Sequence, residues 1–298
     1  MKISLRSLAR GPQDAAVLCC CVLVGVGWSS GVAVQAQTPV QLVASMVANE
    51  NAAAAAHERY EYLSNERSGR TGGHLWTERV VETAPGRVRL LTAVDGRPLT
   101  AEQAQREQER LEEIREHPEV FIKREQSTRA EEKRAREMMD VLPKDFLFEK
   151  VRLDNGVWRM EFRPNPDYTP SSVEERILHN MAGELEIDAR ALRLLHLEFH
   201  LTQDVPIGFG LVANVHTGTT FVSDREVIEG RWHTMHVATQ VRAKALLFKT
   251  IDLNVDVHRW DFHPLDHEVT VPEATTMLLR DQVAAAHTAV AGGAPPLQ

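Results

Sequence analysis

Apolar and polar residues alternate with a period of two through much of the chain's second half, from Glu184 to Phe262. The clearest runs cover residues 195–201 and 251–258, in which every second side chain is apolar. This period puts the apolar side chains on one face of a strand and the polar ones on the other. One dry and one wet face is typical of antiparallel sheet. The sequence therefore predicts a long antiparallel meander in this region.

Shorter strand-like runs precede this meander. They cover residues 60–67, 74–83, 87–94, 146–153 and 157–163. Short turns separate them at hairpin-like spacing, among them Gly72-Gly73, Pro85-Gly86 and Asp154-Asn155-Gly156. Consecutive hairpins indicate further antiparallel meander and argue against βαβ units.

Capping residues predict where the first helices begin. Thr38 offers an N-cap hydroxyl, followed by Pro39 at the first helical position, and the apolar stripe after it continues into an alanine run. A short helix is predicted from Ser171, with Gly183 just past its end. A last helix is expected over residues 273–290, before a disordered tail.

Residues 100–142 differ from the rest because charged side chains dominate them. Thr100 and Gln103 form a capping box, and Pro118 divides the segment into two helices. Acid–base pairs four residues apart, such as Glu102 with Arg106, are typical of exposed helix faces. Two interpretations stay open: a solvated helical insertion, or a mobile lid over a cavity.

The first 36 residues have the pattern of a secretory signal. Basic residues precede an apolar run from Ala15 to Gly27, and Val34-Gln35-Ala36 offers small residues for cleavage before Gln37. We therefore expect a periplasmic or secreted protein with no stable membrane span after cleavage. An uncleaved anchor is the alternative, because the apolar stretch is almost long enough to cross a bilayer.

Charge and cysteine content exclude several classes of protein. The formal charge of −8 becomes two units more negative once the signal, with three basic residues and one acid, is removed. A negative chain without a basic stripe does not suit nucleic-acid binding. All three cysteines lie in the signal, so the mature chain has neither disulfides nor a cysteine nucleophile. No serine stands in a recognisable catalytic motif, so no catalytic residue is predicted.

Two stretches resemble a known family. The run "GELEIDARALRLLHLEFHLTQDV" from Gly183 is similar to a turn followed by a long strand in the bacterial periplasmic lipoprotein-sorting (LolA/LolB-like) superfamily. The run from Val227 to Phe262 is similar to the strands that follow there, with Gly230-Arg231-Trp232 at the turn. The charged segment 100–142 departs from the family's compact members.

The resemblance implies an α+β fold with a single antiparallel, strongly curved, half-open β-barrel whose concave face is covered by helices. The expected organisation is a signal (1–36), a barrel and helix domain (37–270) that contains the charged insertion, and a C-terminal helix with its tail (271–298). The resemblance also implies a concave apolar face that accepts acyl chains.

The leading hypothesis is an exported, non-enzymatic carrier for an apolar ligand such as a lipid or a lipoprotein acyl chain, without a cofactor. Such a site needs apolar walls more than reactive groups. The apolar-phase residues of the predicted strands are the candidate lining: Leu195, Leu197, Phe199, Leu211, Ile251, Leu253 and Val255. An ordinary filled core would use the same residues.

Two other functions remain open. One is an envelope scaffold that binds a protein partner through the charged segment. The other is a metal-dependent hydrolase, because eight of the thirteen histidines lie between His196 and His267. His258, His263 and His267 stand near acidic residues, but His233 and His236 are spaced so that a strand separates their rings. No metal site is therefore predicted.

Overall fold

The computed structural model describes residues 37–56, 58–208, 212–245 and 249–280. This part of the chain forms an α+β fold with six helices and thirteen strands, and every strand pairing is antiparallel. The helices are α1 (Pro39–Ala56), α2 (Ala101–Glu116), α3 (Pro118–Met139), α4 (Leu142–Asp145), α5 (Val173–Leu178) and α6 (271–280). The strands are β1 (Tyr60–Arg67), β2 (Trp76–Glu82), β3 (Arg87–Val94), β4 (Arg97–Pro98), β5 (Phe146–Asp154), β6 (Val157–Pro164), β7 (Met181–Asp188), β8 (Leu194–Leu201), β9 (Val205–Ile207), β10 (Ala213–Val215), β11 (Thr220–Ile228), β12 (Arg231–Ala245) and β13 (Lys249–Pro264). The predicted signal and tail lie outside the described residues.

All described strands belong to one sheet, in the order β4-β3-β2-β1-β13-β12-β11-β8-β7-β6-β5. The pairing of β1 with β13 joins the first meander to the last strand of the second. The short strands β9 and β10 are not part of this order. Strand β8 pairs directly with β11, and β10 pairs with β12 instead. The predicted unbroken meander is thus interrupted once. The sheet is not closed into a barrel, and β4 and β5 are the ends of its order.

Two tight turns set the hairpins on which the later sheet depends. Between β5 and β6, Asn155 and Gly156 have φ of 48° and 79°. Between β11 and β12, Glu229 and Gly230 have φ of 51° and 78°. Positive φ at both central residues is the geometry whose twist matches two antiparallel strands.

The helix starts follow the predicted capping chemistry with one shift. The Thr38 hydroxyl accepts a hydrogen bond from the backbone N–H of Gln41 at 3.2 Å, and Thr100 caps α2 in a complete capping box. The cap of α5 is Ser172, which accepts from Glu175 N–H at 3.0 Å, one residue later than predicted. Two adjacent serines have the same tendency to cap a helix, so the sequence alone does not decide which one is the cap of α5.

Two groups of helices cover the sheet. Helices α1 and α4 pack on β5 to β8, where the α1 residues Leu42, Val43, Met46 and Val47 are buried. Helices α2, α3 and α6 pack on β2 and β3, burying Leu111, Ile114 and Phe121 of the charged segment together with Val81, Val88, Leu90, Val269, Val271, Ala274 and Leu278. The charged segment is therefore docked through its few apolar residues.

Gly183 lies in β7 and not at a helix end as the sequence suggested. A Cβ atom there would stand 1.9 Å from the carbonyl oxygen of Glu198 on β8. Only glycine permits that approach, so this residue fixes the spacing of two neighbouring strands. Among the described helices, none is long and apolar enough to span a membrane.

Candidate functional site

A cavity of about 1000 Å³ lies between the helices and one face of the sheet. The ends of α1 and α3 and helix α5 line one side, and β1, β8, β11, β12 and β13 line the other. This volume is at the upper end of the range for small-molecule sites. The fold thus leaves space where a filled core would be.

Apolar side chains form the part of the wall beneath α3 and α5. Phe199 of β8 stacks on Phe221 of β11, with ring centroids 4.9 Å apart and planes inclined by 16°. These two residues are direct cross-strand partners, so the register of β8 and β11 creates the stack. The neighbouring lining residues are Met138, Met139, Leu142, Ile177, Leu178, Met181, Leu194 and Leu197.

An aromatic group built around His233 forms another part of the wall. The His233 ring stacks on Phe262 at a centroid distance of 4.2 Å and meets the edge of Tyr60 at 4.7 Å. Burial and the nearby Arg231 guanidinium lower the pKa of His233 below its ordinary value. The imidazole is therefore neutral at pH 7 and behaves as part of an apolar wall.

Glu50, near the end of α1, ties that helix to the sheet beneath the cavity. Its carboxylate accepts hydrogen bonds from Arg193 Nε at 2.7 Å and Leu194 N–H at 3.0 Å, and from Arg225. Burial raises the pKa of Glu50, but the bonds from Arg193 and the charge of Arg225 outweigh it and lower the pKa below its ordinary value. Glu50 is therefore ionised at neutral pH.

Arg259 of β13 is a half-buried cation in the cavity wall. No carboxylate of the described residues lies within salt-bridge distance of it, and its guanidinium carbon stands 5.9 Å from the ring centre of Tyr62. Burial and the neighbouring Arg87 and Arg89 lower the pKa of Arg259. By contrast, the lining residue Arg87 has a partner, Glu132, 2.7 Å away. Among the described residues, Arg259 therefore has no carboxylate in direct contact.

Two predicted lining residues, Leu197 and Phe199, are in the cavity wall. Leu195 is not among the described residues that line it. Pairing of β7 with β8 shifts register here, since Glu186 faces His196 while Ile187 faces Leu194. This bulge inserts one residue and turns Leu194 inward in place of Leu195.

The other residues predicted to line the cavity do not lie with Leu197 and Phe199 in its wall. Ile251 and Leu253 are 39 % and 42 % exposed, and neither they nor Val255 are among the described lining residues. They lie where β13 extends past Asp256, the last residue that pairs with β1. Leu211 lies outside the described residues.

The histidines suggested by the sequence are dispersed. His263 pairs with Asp261 at 3.1 Å, and His267 pairs with Glu273 at 2.8 Å. His258 instead stands beside Asp256 and His236, on β13 and β12. His233 lies in the cavity wall, whereas His236 stands among these polar groups.

The charged part of the cavity is what sequence reasoning missed. A signal for it exists on β13, because Arg259 continues the odd-numbered phase of Val255 and Val257. A cation at an apolar-phase position of a strand indicates an inward-facing charge. The Glu50 contacts join residues more than 140 positions apart, so no local sequence pattern predicts them.

No family model, no curated protein and no solved structure matches this chain. The resemblance to the lipoprotein-sorting superfamily therefore stays a prediction.

Proposed function

We propose that the protein is a non-enzymatic carrier for a lipid-like ligand, whose acyl chain occupies the cavity and whose anionic group pairs with Arg259. The observation that carries this proposal is a cavity of about 1000 Å³ with an apolar wall on one side and an unpaired guanidinium on another. An amphipathic anion is complementary to both.

Burial of the acyl chain supplies the driving force. Each buried methylene contributes about 0.8 kcal/mol, so ten contribute about 8 kcal/mol. Association itself costs about 4 kcal/mol or more in lost translation and rotation. Ten methylenes therefore leave about 4 kcal/mol, which corresponds to millimolar binding, and about fifteen are needed to reach the micromolar range. Affinity that rises steeply with chain length distinguishes this mechanism from binding through the polar group alone.

The anionic group follows from the electrostatics of the wall. An unpaired cation that is partly removed from water is unfavourable, and a carboxylate or phosphate oxygen beside it relieves that cost. A guanidinium also matches the planar geometry of such anions. An uncharged ligand of equal length leaves Arg259 without a partner, so it binds less tightly.

We also propose a fold family and a cellular location for the protein. The sheet curves around the ligand as a half-open barrel of the lipoprotein-sorting type, and residues 1–36 direct export to the periplasm or beyond. Cell fractionation with N-terminal sequencing of the purified protein tests the export step. Protein that is found in the cytoplasmic fraction and still begins at residue 1 would contradict export.

Chain-length dependence is the direct test of the carrier. Titration calorimetry with octanoate, decanoate, dodecanoate and tetradecanoate, below their micellar concentrations, measures affinity for each. We expect about a 15-fold gain per two-carbon step, from about 1.6 kcal/mol of added burial. Native mass spectrometry of protein from an envelope fraction should show a bound lipid. A mass equal to that of the protein alone, together with an affinity that does not depend on acyl-chain length, would contradict the proposal.

Matched substitutions locate the site. Phe199→Ser alters the cavity wall, whereas Ile251→Ser replaces an apolar side chain by the same residue at an exposed strand position. We expect Phe199→Ser to weaken dodecanoate binding at least tenfold and Ile251→Ser to leave it unchanged. Equal effects from the two would place the ligand elsewhere.

The anionic group is tested separately. Arg259→Met should abolish the preference for dodecanoate over dodecanol, while Arg97→Met on the exposed strand β4 should preserve it. An unaltered preference in Arg259→Met would leave the apolar cavity without its proposed anion site.

A partner-binding role for the charged segment is the second candidate. The observation that favours it is the exposed, charged surface of α3, which includes the cations Arg129, Lys133 and Arg134. Deleting the segment would uncover the core beneath Leu111 and Phe121, so charge reversal of the three cations is the sharper test. Unchanged recovery of envelope proteins with the reversed variant would argue against this role.

A further inference from the structure

Polar side chains on four neighbouring strands form a continuous row away from the cavity. His196 Nδ1 lies 2.6 Å from Asp224 Oδ1, and Asp224 Oδ2 lies 3.0 Å from His236 Nδ1. His236 Nε2 in turn lies 2.9 Å from Asp256 Oδ1, and His258 Nε2 lies 3.4 Å from the same oxygen. The row runs from β8 through β11 and β12 to β13.

Strand register brings this row together. Asp224 pairs with His196 on one side and with His236 on the other, and His236 pairs with His258. Asp256 and His258 are two residues apart on β13, so they share a face. Directly opposed residues have Cβ atoms about 5 Å apart, which suits two imidazoles that contact one ion.

Three atoms at one end of the row have the separations of metal ligands. They are His236 Nε2, His258 Nε2 and a carboxylate oxygen of Asp256, all within 4.8 Å of one another. Ligand atoms about 2.0–2.1 Å from a tetrahedral metal lie about 3.3 Å apart. The distances of 2.9 and 3.4 Å from Asp256 Oδ1 lie on either side of that value.

The two contacts of His236 require either a cation or a second proton. A neutral imidazole has one N–H, yet both ring nitrogens of His236 face carboxylate oxygens. If Nδ1–H donates to Asp224, the Nε2 lone pair points at Asp256, and a bound cation resolves the repulsion. A carboxylate that accepts from the distal nitrogen of a ligating histidine is the common outer-shell arrangement of metal sites.

We propose that His236, Asp256 and His258 bind one divalent transition-metal ion, with Asp224 positioning His236. Two nitrogen donors and one oxygen donor suit zinc, copper or nickel, and they disfavour magnesium and calcium. The sequence alone predicted no metal site, since it does not reveal which strands are neighbours. This inference is independent of the cavity and of its proposed ligand.

Metal binding requires a modest rotation of the rings. The His236 and His258 rings stack at 4.1 Å with planes inclined by 6°, so their lone pairs do not yet converge. The side chain of His258 is 56 % exposed and has room to turn. Water completes the coordination on the exposed side.

Calorimetry with Zn²⁺ on the untagged protein tests the proposal. We expect one ion per chain, at least tenfold weaker binding in His236→Ala and in His258→Ala, and about tenfold weaker binding in Asp224→Asn. The matched control is His263→Ala, an exposed β13 histidine paired with Asp261, which should bind like the natural protein. Excess Mg²⁺ should not compete.

A spectroscopic measurement on the unsubstituted protein covers the case of a variant that does not fold. Bound Cu²⁺ should show an electron paramagnetic resonance spectrum with coupling to two imidazole nitrogens. Absence of stoichiometric binding, coupling to fewer than two nitrogens, or equal affinity in a folded His258→Ala variant would each overturn the site.

Discussion

The two faces of strands β8, β11, β12 and β13 carry opposite chemistry within the same stretches of chain. On one face Leu197, Phe199, Phe221 and Phe262 line the cavity. On the other, His196, Asp224, His236, Asp256 and His258 form the hydrogen-bonded row. Adjacent residues such as His196 and Leu197 therefore serve different sites.

Alternation determines which face of the sheet a residue occupies, while strand register determines which residues meet on that face. A substitution on the cavity face changes packing, so its cost is large. A substitution on the other face changes a partly solvated polar contact, whose contribution to stability is small.

Leu197→Ala should lower the free energy of unfolding by about 3 kcal/mol, because Leu197 is almost fully buried among residues of β7, β8 and α1. Leu195→Ala, at the bulge, should cost about 1 kcal/mol. Urea denaturation of both variants measures the difference. Equal costs would mean that β8 lacks the bulge and that Leu195 and Leu197 share a face, as simple alternation predicts.

Glu50→Ala should cost about 2 kcal/mol, because it leaves Arg193 and Arg225 without their shared carboxylate. Glu102→Ala removes a partner of Arg106 on the exposed surface of α2 and is the matched control. We expect that control to stay within about 0.5 kcal/mol of the natural protein in the same denaturation experiment. A large effect from Glu102 would contradict the distinction between cavity-side and surface charge.

The local part of the fold could be predicted from the sequence. The turn at Asn155-Gly156, the caps at Thr38 and Thr100 and the helix break at Pro118 all lie where the sequence indicates. Each depends on a few adjacent residues, whose dihedral preferences and hydrogen bonds act at short range. Six of the ten boundaries of the five strands predicted with bounds agree with the structure, and the other four differ by one or two residues.

The long-range part could not be predicted. Nothing in the sequence states that Tyr60 faces Pro264, and that pairing joins the two meanders. Alternation alone also predicted that the first residues of β13 line the cavity. The structure differs because β12 pairs with β11 only as far as Gln240, so the hairpin beyond it is longer than its neighbours. Strand length relative to a neighbour depends on pairing.

Acidification tests the charged contact of the cavity side without altering packing. The pKa of Glu50 is lower folded than unfolded, so its stabilising effect is complete above the unfolded pKa and is lost as pH falls through the folded pKa. The stability difference between the natural protein and Glu50→Gln should therefore shrink as the pH falls from 7 into the acid range. A difference that stays constant over that range would show that ionisation of Glu50 contributes nothing.

The smallest effect is expected at the tip of the β12–β13 hairpin. Leu253→Thr keeps a strand-favouring residue at a position that is 42 % exposed, so the free energy of unfolding should change by about 0.5 kcal/mol or less. Dodecanoate affinity should stay unchanged, in contrast to Phe199→Ser. Melting curves and calorimetry on the one variant give both values. A loss above about 1.5 kcal/mol, with weaker ligand binding, would mean that this apolar face is covered in solution and that the lining expected from alternation extends along β13.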